Sequence, residues 1–446
     1  MTLAGQSLGQ LAKALTAGET TSRALIELSL EAIAKDGRAF SAVDEVSARA
    51  AADASDAQRA VGAAPSLHAG IPISVKDLFE IAGQPTPAGA AMLRRSPPAK
   101  ADALAIARLR AAGLIMIGRT QMSEFAFTGL GLNPHGPQPV NPKDPARVPG
   151  GSSGGAAVSV GLSQVAGAIG TDTGGSVRIP AAFCGLTGFK PTQRRVSRSG
   201  VFPLSPTLDS IGPIAHRVAC CQTLDALLAG DPDFLAPPAD IRTLRLGAPN
   251  HYLLEGMSPE VAAAWDRTLA LLSQAGARIE AFDFPELERI PEINARGTIS
   301  NAEAFAYHRR EGLLAQSDAY DPNVLARIKV GEGLSAADYL DLMEARATLI
   351  AQAARRTAGF DAVICPTVPI LAPRFDEVAT PEAFARLNAL TLRNPSVANL
   401  LDRCAITVPM VCDSIPCGLT LMGETLGDAR LFSIAGAVEG ALMPSP

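Results

Sequence analysis

The chain has 446 residues, 47% of them hydrophobic and 19% charged, with a net charge of −5 and an isoelectric point near 5.7. That apolar content fills a large core, and 40 Gly with 34 Pro stay below the roughly 25–30% that marks a disordered, low-complexity chain. The acidic balance gives no electrostatic footprint for nucleic acid or an anionic membrane, and no run reaches the ~18 apolar residues of a membrane span.

The opening MTLAGQSLGQLAKALTAGETTS has no basic segment leading into a continuous apolar block, so a cytoplasmic protein is expected. Cysteines at 184, 220, 221, 365, 404, 412 and 417 form an odd, scattered set without a C-x-x-C pair or zinc-type spacing. Reduced thiols fit that pattern, and neither a metal nor another cofactor is expected. Cys184 has no flanking His and reads as a small buried hydrophobe.

In chain order, residues 7–35 have apolar positions at helical spacing, with Thr20 to Ser22 as a capping break between two helices. A third helix is expected over 42–61. Ile71, Ile73 and Val75 then alternate as in a strand, with Lys76 at its end. Residues 102–112 read as a helix stopped by Gly113, and LIMIG follows as a buried strand, which implies alternating β and α elements. The proline-rich 133–149 cannot be a central strand and must be an ordered surface or cleft segment, with Asn133, Pro134, Asn141 and Pro142 shaping its wall.

Further on, RTLRLGAP and RIEAFDF read as strands around a helix over 259–275. Helices are expected over 290–311 and 335–358, the second opened by the capping-box spacing of Ser335 and Asp338. DAVICPT, CAITVPM and CGLTLMG look like buried strands, and 428–442 like a closing helix. The only candidate boundary, GDPDFLAPPAD at 230–240, is short enough to be a loop, and length alone leaves the domain count open.

The chemistry concentrates between Gly150 and Thr192, where GGSSGG and GTDTGGS place Ser152, Ser153 and Ser176 among glycines. Glycines let main-chain N–H groups converge on one spot, so such a segment holds an anion, either a phosphate or a developing oxyanion. A phosphate loop requires a Gly-Lys pair followed by Ser or Thr, and the chain has no Gly-Lys pair. A nucleophile elbow, G-x-S-x-G at 150–154 with His216, His251 or His308 as base, requires a preceding strand where the proline-rich loop stands. A third reading is a serine activated by lysine.

The third reading gains weight from a resemblance. Lys76 ending a strand, GGSSGG at 150–155 and GTDTGGSVRIPAAFCGLTGFKPT at 170–192 resemble the amidase signature family almost letter for letter, with MSEFAF at 122–127 and LDSIGP at 208–213 as smaller matches. The likeness is strongest over 68–218 and weak beyond 240. It implies an α/β fold, a mixed central β-sheet covered by helices on both faces. It also implies a single domain over 1–446, with N-terminal helices over 1–65, a catalytic core over 66–230, and the rest of the sheet and the pocket helices over 240–446.

Carried over residue by residue, the resemblance makes Ser176 the acylated nucleophile, Ser152, 24 positions earlier, the bridging serine after a cis peptide bond, and Lys76 the base. Backbone N–H groups of Thr173, Gly174, Gly175 and Ser176 would form the oxyanion hole, each donor worth about 3 to 4 kcal/mol. Ser153, Asp172 and Arg178 would support the loop, the last two as a buried ion pair. A lysine acts as base only when neutral, and burial can lower its pKa from about 10.4 to about 7. The competing structural role for Lys76 is a salt bridge to Asp77 or Glu80.

The implied reaction is hydrolysis of a small carboxamide, the partner a small-molecule amide, with a homodimer left open. Stand-alone amide hydrolases, urea-derivative (biuret or allophanate-type) hydrolases and the glutaminase subunit of an aminoacyl-tRNA amidotransferase are the branches to separate. The glutaminase reading is weakened because no acid stands between Thr391 and Leu400 to pair with a glutamine α-amino group. Ile179 occupies the place where, by resemblance, one branch has a carboxylate-binding arginine. Aromatics are only 4%, which speaks against a lipid amide. The pocket is expected around Phe125 to Leu132 and 300–400, with Tyr307, His308 and Arg393 as candidate contacts. A non-catalytic scaffold would have lost Lys76, Ser152 or Ser176, and all three are present.

Overall fold

The computed structural model describes residues 3, 5–231, 234–413 and 415–442. Its strands are β1 (Phe40–Val43), β2 (Pro72–Lys76), β3 (Ile115–Thr120), β4 (Gly167–Asp172), β5 (Thr187–Lys190), β6 (Ser210–Ala215), β7 (Arg245–Pro249), β8 (Arg278–Phe282), β9 (Ala362–Pro366), β10 (Ala405–Pro409) and β11 (Gly418–Met422). They form one eleven-stranded sheet in the order β1-β3-β2-β4-β6-β5-β10-β11-β9-β7-β8. β3, β2 and β4 run parallel, as do β9, β7 and β8; the other neighbours are antiparallel. The sheet is therefore mixed, as expected.

Helices α1 (Leu8–Ala17), α2 (Ser22–Lys35), α3 (Glu45–Ala60), α4 (Leu104–Ala111), α5 (Gly154–Gly161), α6 (Arg178–Cys184) and α7 (Val218–Ala229) belong to the first half. The second half adds α8 (Pro259–Gln274), α9 (Ile290–Ile293), α10 (Ile299–Arg310), α11 (Pro322–Val330), α12 (Ala336–Thr357), α13 (Pro381–Leu400) and α14 (Asp428–Leu442). Successive strand residues point to opposite faces, so two cores result. On β4, Ile169 joins Leu8, Leu109, Leu224 and Leu431 from α1, α4, α7 and α14, while Ala168 joins Ile26, Ala48, Ala157 and Ala181 from α2, α3, α5 and α6. Helices thus cover both faces.

The same alternation aims the lysine. Ile73 and Val75 of β2 enter the first core, whereas the Ser74 hydroxyl lies 2.9 Å from that of Ser159 on α5. Lys76 shares the parity of Ser74 and projects to the α5 side, where the serine loop arrives.

Local chemistry explains most boundaries. Thr21 caps α2, and Ser335 with Asp338 forms the expected capping box of α12. The helix expected over 42–61 begins at Glu45, because Asp44 accepts from the Ser47 N–H as its cap and 42–43 belong to β1. The helix expected over 290–311 is two pieces, separated at Gly297, whose φ of +147° no helix accommodates. In the candidate boundary at 230–240, Pro232 and Asp233 lie outside the described residues.

Candidate active site

Three chain segments meet at the C-terminal ends of β2 and β4. Lys76, fully buried, closes β2; its Nζ donates to Ser152 Oγ at 2.7 Å and to Thr171 Oγ1 at 2.8 Å. Ser152 follows a cis peptide bond from Gly151 and leads into α5. Neither acid considered as a salt-bridge partner takes the amine, since Asp77 pairs with Arg119 instead. Burial lowers the Lys76 pKa to about 7, against the upward pull of Asp209 and Asp172.

Ser176 stands on the turn between β4 and α6, 3% exposed. Its carbonyl accepts from the Ser153 N–H at 3.1 Å, and Ser153 Oγ donates to the Thr171 carbonyl at 3.3 Å. These bonds lock the two serine loops together. A side chain at Gly170 would bring its Cβ within 2.6 Å of Ser153 Oγ, so the glycine permits the close approach.

Asp172 organises the turn around Ser176. Its carboxylate accepts from the N–H groups of Gly175 at 2.9 Å and Val177 at 3.2 Å, and it pairs with the Arg178 guanidinium at 3.0 Å, both side chains fully withdrawn from solvent. Burial works to raise the Asp172 pKa, but the Arg178 charge and hydrogen bonds from Arg178 and Asn399 outweigh it, leaving about 2. Among the described residues the N–H groups of Thr173, Gly174 and Ser176 have no partner within the fold.

Sequence reasoning missed several contributors. Thr171, inside the GTDTGG run, was given no role. Asp209, in the LDSIGP match, accepts from Thr173 Oγ1 at 2.5 Å and from the N–H groups of Leu204 and Ser205 at 3.0 Å, and burial raises its pKa to about 6. Asn399, at the end of α13, donates to Asp172 Oδ1 at 2.9 Å and accepts from Arg178 at 2.8 Å. Nothing local in the sequence marks Asn399, because its partners lie more than two hundred residues away.

A cavity of about 340 Å³ opens over Ser176, Thr173 and Gly174. Ala126, Phe127, Thr128 and Arg393 line it as expected. Tyr307 and His308 do not. The His308 Nδ1 is 2.7 Å from the Tyr320 hydroxyl, with burial lowering its pKa to about 4, and Tyr307 packs edge-on against Phe202. Asn133 and Asn141 brace the proline-rich loop, through Met122 and Gly89 carbonyls and through that of Phe183 respectively. Cys184 is buried, its thiol pushed well up by desolvation.

The family model described as Amidase matches residues 24–432. The chain belongs to the amidase family. It is 36% identical to a 2-amino-5-chloromuconic acid deaminase of Comamonas testosteroni, over 99% of this chain and 97% of the relative. It is 34% identical to a glutamyl-tRNA(Gln) amidotransferase subunit of Roseiflexus castenholzii, over 97% and 95%. A solved amidase structure superposes with a TM-score of 0.88 at 33% identity, over 98% of this chain and all of the other. This amidase is a hydrolase of amide C–N bonds, and no described helix is long and apolar enough to cross a membrane.

Proposed function

We propose that this amidase hydrolyses a small, non-peptide carboxamide to an acid plus ammonia or an amine through an acyl-Ser176 intermediate. The observation that carries the reading is the buried Lys76 amine, lowered to about 7 and 2.7 Å from Ser152 Oγ. Neutral Lys76 accepts the Ser152 hydroxyl proton as Ser152 accepts that of Ser176. Ser176 Oγ forms a bond to the amide carbon, and the carbonyl electron pair moves to oxygen. The pair returns as the C–N bond breaks, the leaving nitrogen taking the proton back through Ser152. Water then repeats the sequence on the ester and releases the acid.

The developing oxyanion meets the N–H groups of Thr173, Gly174 and Ser176. The Gly175 N–H, also expected there, donates to Asp172 at 2.9 Å and so shapes the turn instead. Ser153, Asp172 and Arg178 hold that turn. The whole chain acts as one domain in this reading, since strands from Phe40 to Met422 share one sheet.

The Comamonas relative is named for removing an amino group from an acid, and ammonia release from a C–N bond is the chemistry in common. A glutaminase subunit is the second reading, favoured by the Roseiflexus relative. Against it, the cavity lining holds no acidic side chain among the described residues to receive a glutamine α-ammonium. The test is a quenched turnover with a small amide or ester, followed by mass spectrometry. An adduct on the peptide holding Ser176, absent from Ser176→Ala, is expected; robust turnover by that variant overturns the assignment.

A further inference from the structure

A second cavity, of about 510 Å³, shares no lining residue with the one over Ser176. Two of its residues directly follow parallel strands, Asp77 after β2 and Gln121 after β3. In open α/β sheets ligands settle in the crevice outside the carboxyl ends of the strands. Ser41 and Ala42 of β1 close one side, and Pro85, Pro87 and Pro137 supply apolar wall.

Gln121 is 5% exposed, yet its carboxamide has no hydrogen-bond partner among the described residues and opens on the cavity that it lines. Its main chain is fixed, the N–H donating to the Ala39 carbonyl at 2.9 Å and the carbonyl accepting from the Gly155 N–H at 3.0 Å. The fold treats other buried amides differently. Those of Asn133, Asn141, Gln164, Asn388 and Asn394 each bond to a main-chain group. Gly136 lets the proline-rich loop pass over the free amide, since a Cβ there would come within 2.5 Å of Gln121 Nε2. A withdrawn amide is costly unless something in the cavity bonds to it.

The charges around this cavity do not cancel. Arg119 is committed, to Asp77 by an ion pair and to the Phe79 carbonyl at 2.8 Å. His135 adds no charge near neutral pH, because burial lowers its pKa, and its Nε2 faces Glu124 Oε1 at 3.0 Å. Arg94 remains, exposed and without a side-chain partner among the described residues. The uncompensated charge in the lining is therefore a cation, which favours an anion.

We infer that this cavity is a second ligand site, for a small hydroxycarboxylate whose carboxylate pairs with Arg94 and whose hydroxyl bonds to the Gln121 carboxamide. The free amide offers a donor and an acceptor together, which a hydroxyl answers and an ionised carboxylate, an acceptor only, does not. The carbon frame lies against the prolines. The volume of about 510 Å³ suits such a molecule, since small-molecule sites run from roughly 300 to 1,000 Å³.

Calorimetric titration of the full chain with lactate, malate and citrate, against propionate, succinate and tricarballylate respectively, isolates the hydroxyl. At least one hydroxy acid should bind about fivefold or more tighter than its counterpart. Gln121→Leu should erase that difference. Arg94→Met should weaken the same acid about fivefold or more, and Arg94→Lys should restore part of the loss. If no hydroxy acid outbinds its counterpart in the wild type, the site is overturned whether or not the variants fold. A difference that persists in folded Gln121→Leu, or an affinity unchanged in folded Arg94→Met, overturns it as well.

Ammonia release separates the two cavities. Both variants should keep kcat/KM within about twofold of the wild type while the hydroxy acid is lost. Binding that disappears only together with turnover assigns the acid to the Ser176 cavity and overturns the second site.

Discussion

Lys76 Nζ stands 2.7 Å from Ser152 Oγ, and its second close partner is the Thr171 hydroxyl at 2.8 Å. Both partners are neutral, so nothing in contact with the amine rewards its charge, and burial prevails. Activity should therefore climb with pH through about 7, tenfold per unit below that value, and level off above it. Lys76→Arg, which stays protonated, should be inactive across that range. Initial rates of ammonia release from pH 5.5 to 9 check both.

The same shift governs stability. Lys76 titrates near 7 when folded and near 10.4 when unfolded, so between those values the unfolded chain binds more protons and stability rises with pH. The full window is worth up to about 4 to 5 kcal/mol for a completely buried group. Lys76→Met should flatten that rise in urea unfolding at pH 7 and pH 9. A slope as steep as in the wild type would mean that another group carries it.

Asp209 acts on the lysine from a distance. Its charge raises the Lys76 pKa, while its oxygens hold Thr173 and the 204–205 backbone. Asp209→Asn keeps much of the hydrogen bonding and removes the charge. The rising limb of the pH profile should move toward acid, and an unmoved or alkaline-shifted limb would contradict the coupling.

The ion pair beside Ser176 should behave as a unit. Removing one partner of a buried pair leaves the other charged and unpaired, which costs about 3 to 5 kcal/mol. Asp172→Asn and Arg178→Met should each cost that much, and the double variant less than their sum. Because the Asp172 pKa is held at about 2, its contribution is complete above the unfolded value near 3.9 and fades as pH falls through about 2. Denaturant titrations of the three variants between pH 2 and 7 measure both effects.

What could be read from the sequence was what neighbouring residues dictate. The closing helix Asp428–Leu442 and the capping box at Ser335 depend on periodicity and caps, and both appear where expected. Of the motif residues, Lys76 meets Ser152 at 2.7 Å, and the Ser153 N–H ties that loop to the Ser176 carbonyl at 3.1 Å. Helix α13 escaped because Pro395 lies inside it, and a proline there reads as a break. In the fold its carbonyl accepts from Arg178 Nη2 at 2.8 Å. Asn399 escaped for a related reason, since it meets Asp172 and Arg178 only when a distant helix docks beside them.

Asn399 offers a way to separate positioning from stability. It joins α13 to Asp172 and Arg178 without lining the cavity. Asn399→Ala should lower kcat about tenfold, with little change in KM, as the turn around Ser176 slackens. Asn399→Asp puts a second carboxylate beside Asp172, so it should not restore the rate, whereas Asn399→Gln should recover part of it. A change confined to KM would place Asn399 in substrate binding instead.

Gly175 has a φ of +118°, and a Cβ there would collide with the Pro395 ring and approach Ile179 Cδ1 to 2.8 Å. The backbone strain and the overpacking act together, so Gly175→Ala should destabilise the fold by about 2 to 4 kcal/mol. The collision has a movable partner. Pro395→Gly removes both the Cβ and the Cγ that a side chain at 175 would strike, and so should relieve the part of the loss due to crowding against α13. In urea unfolding the double variant should then be more stable than the sum of the single losses predicts. Strict additivity would show that the left-handed backbone at Gly175, and not the roof formed by α13, is what excludes a side chain.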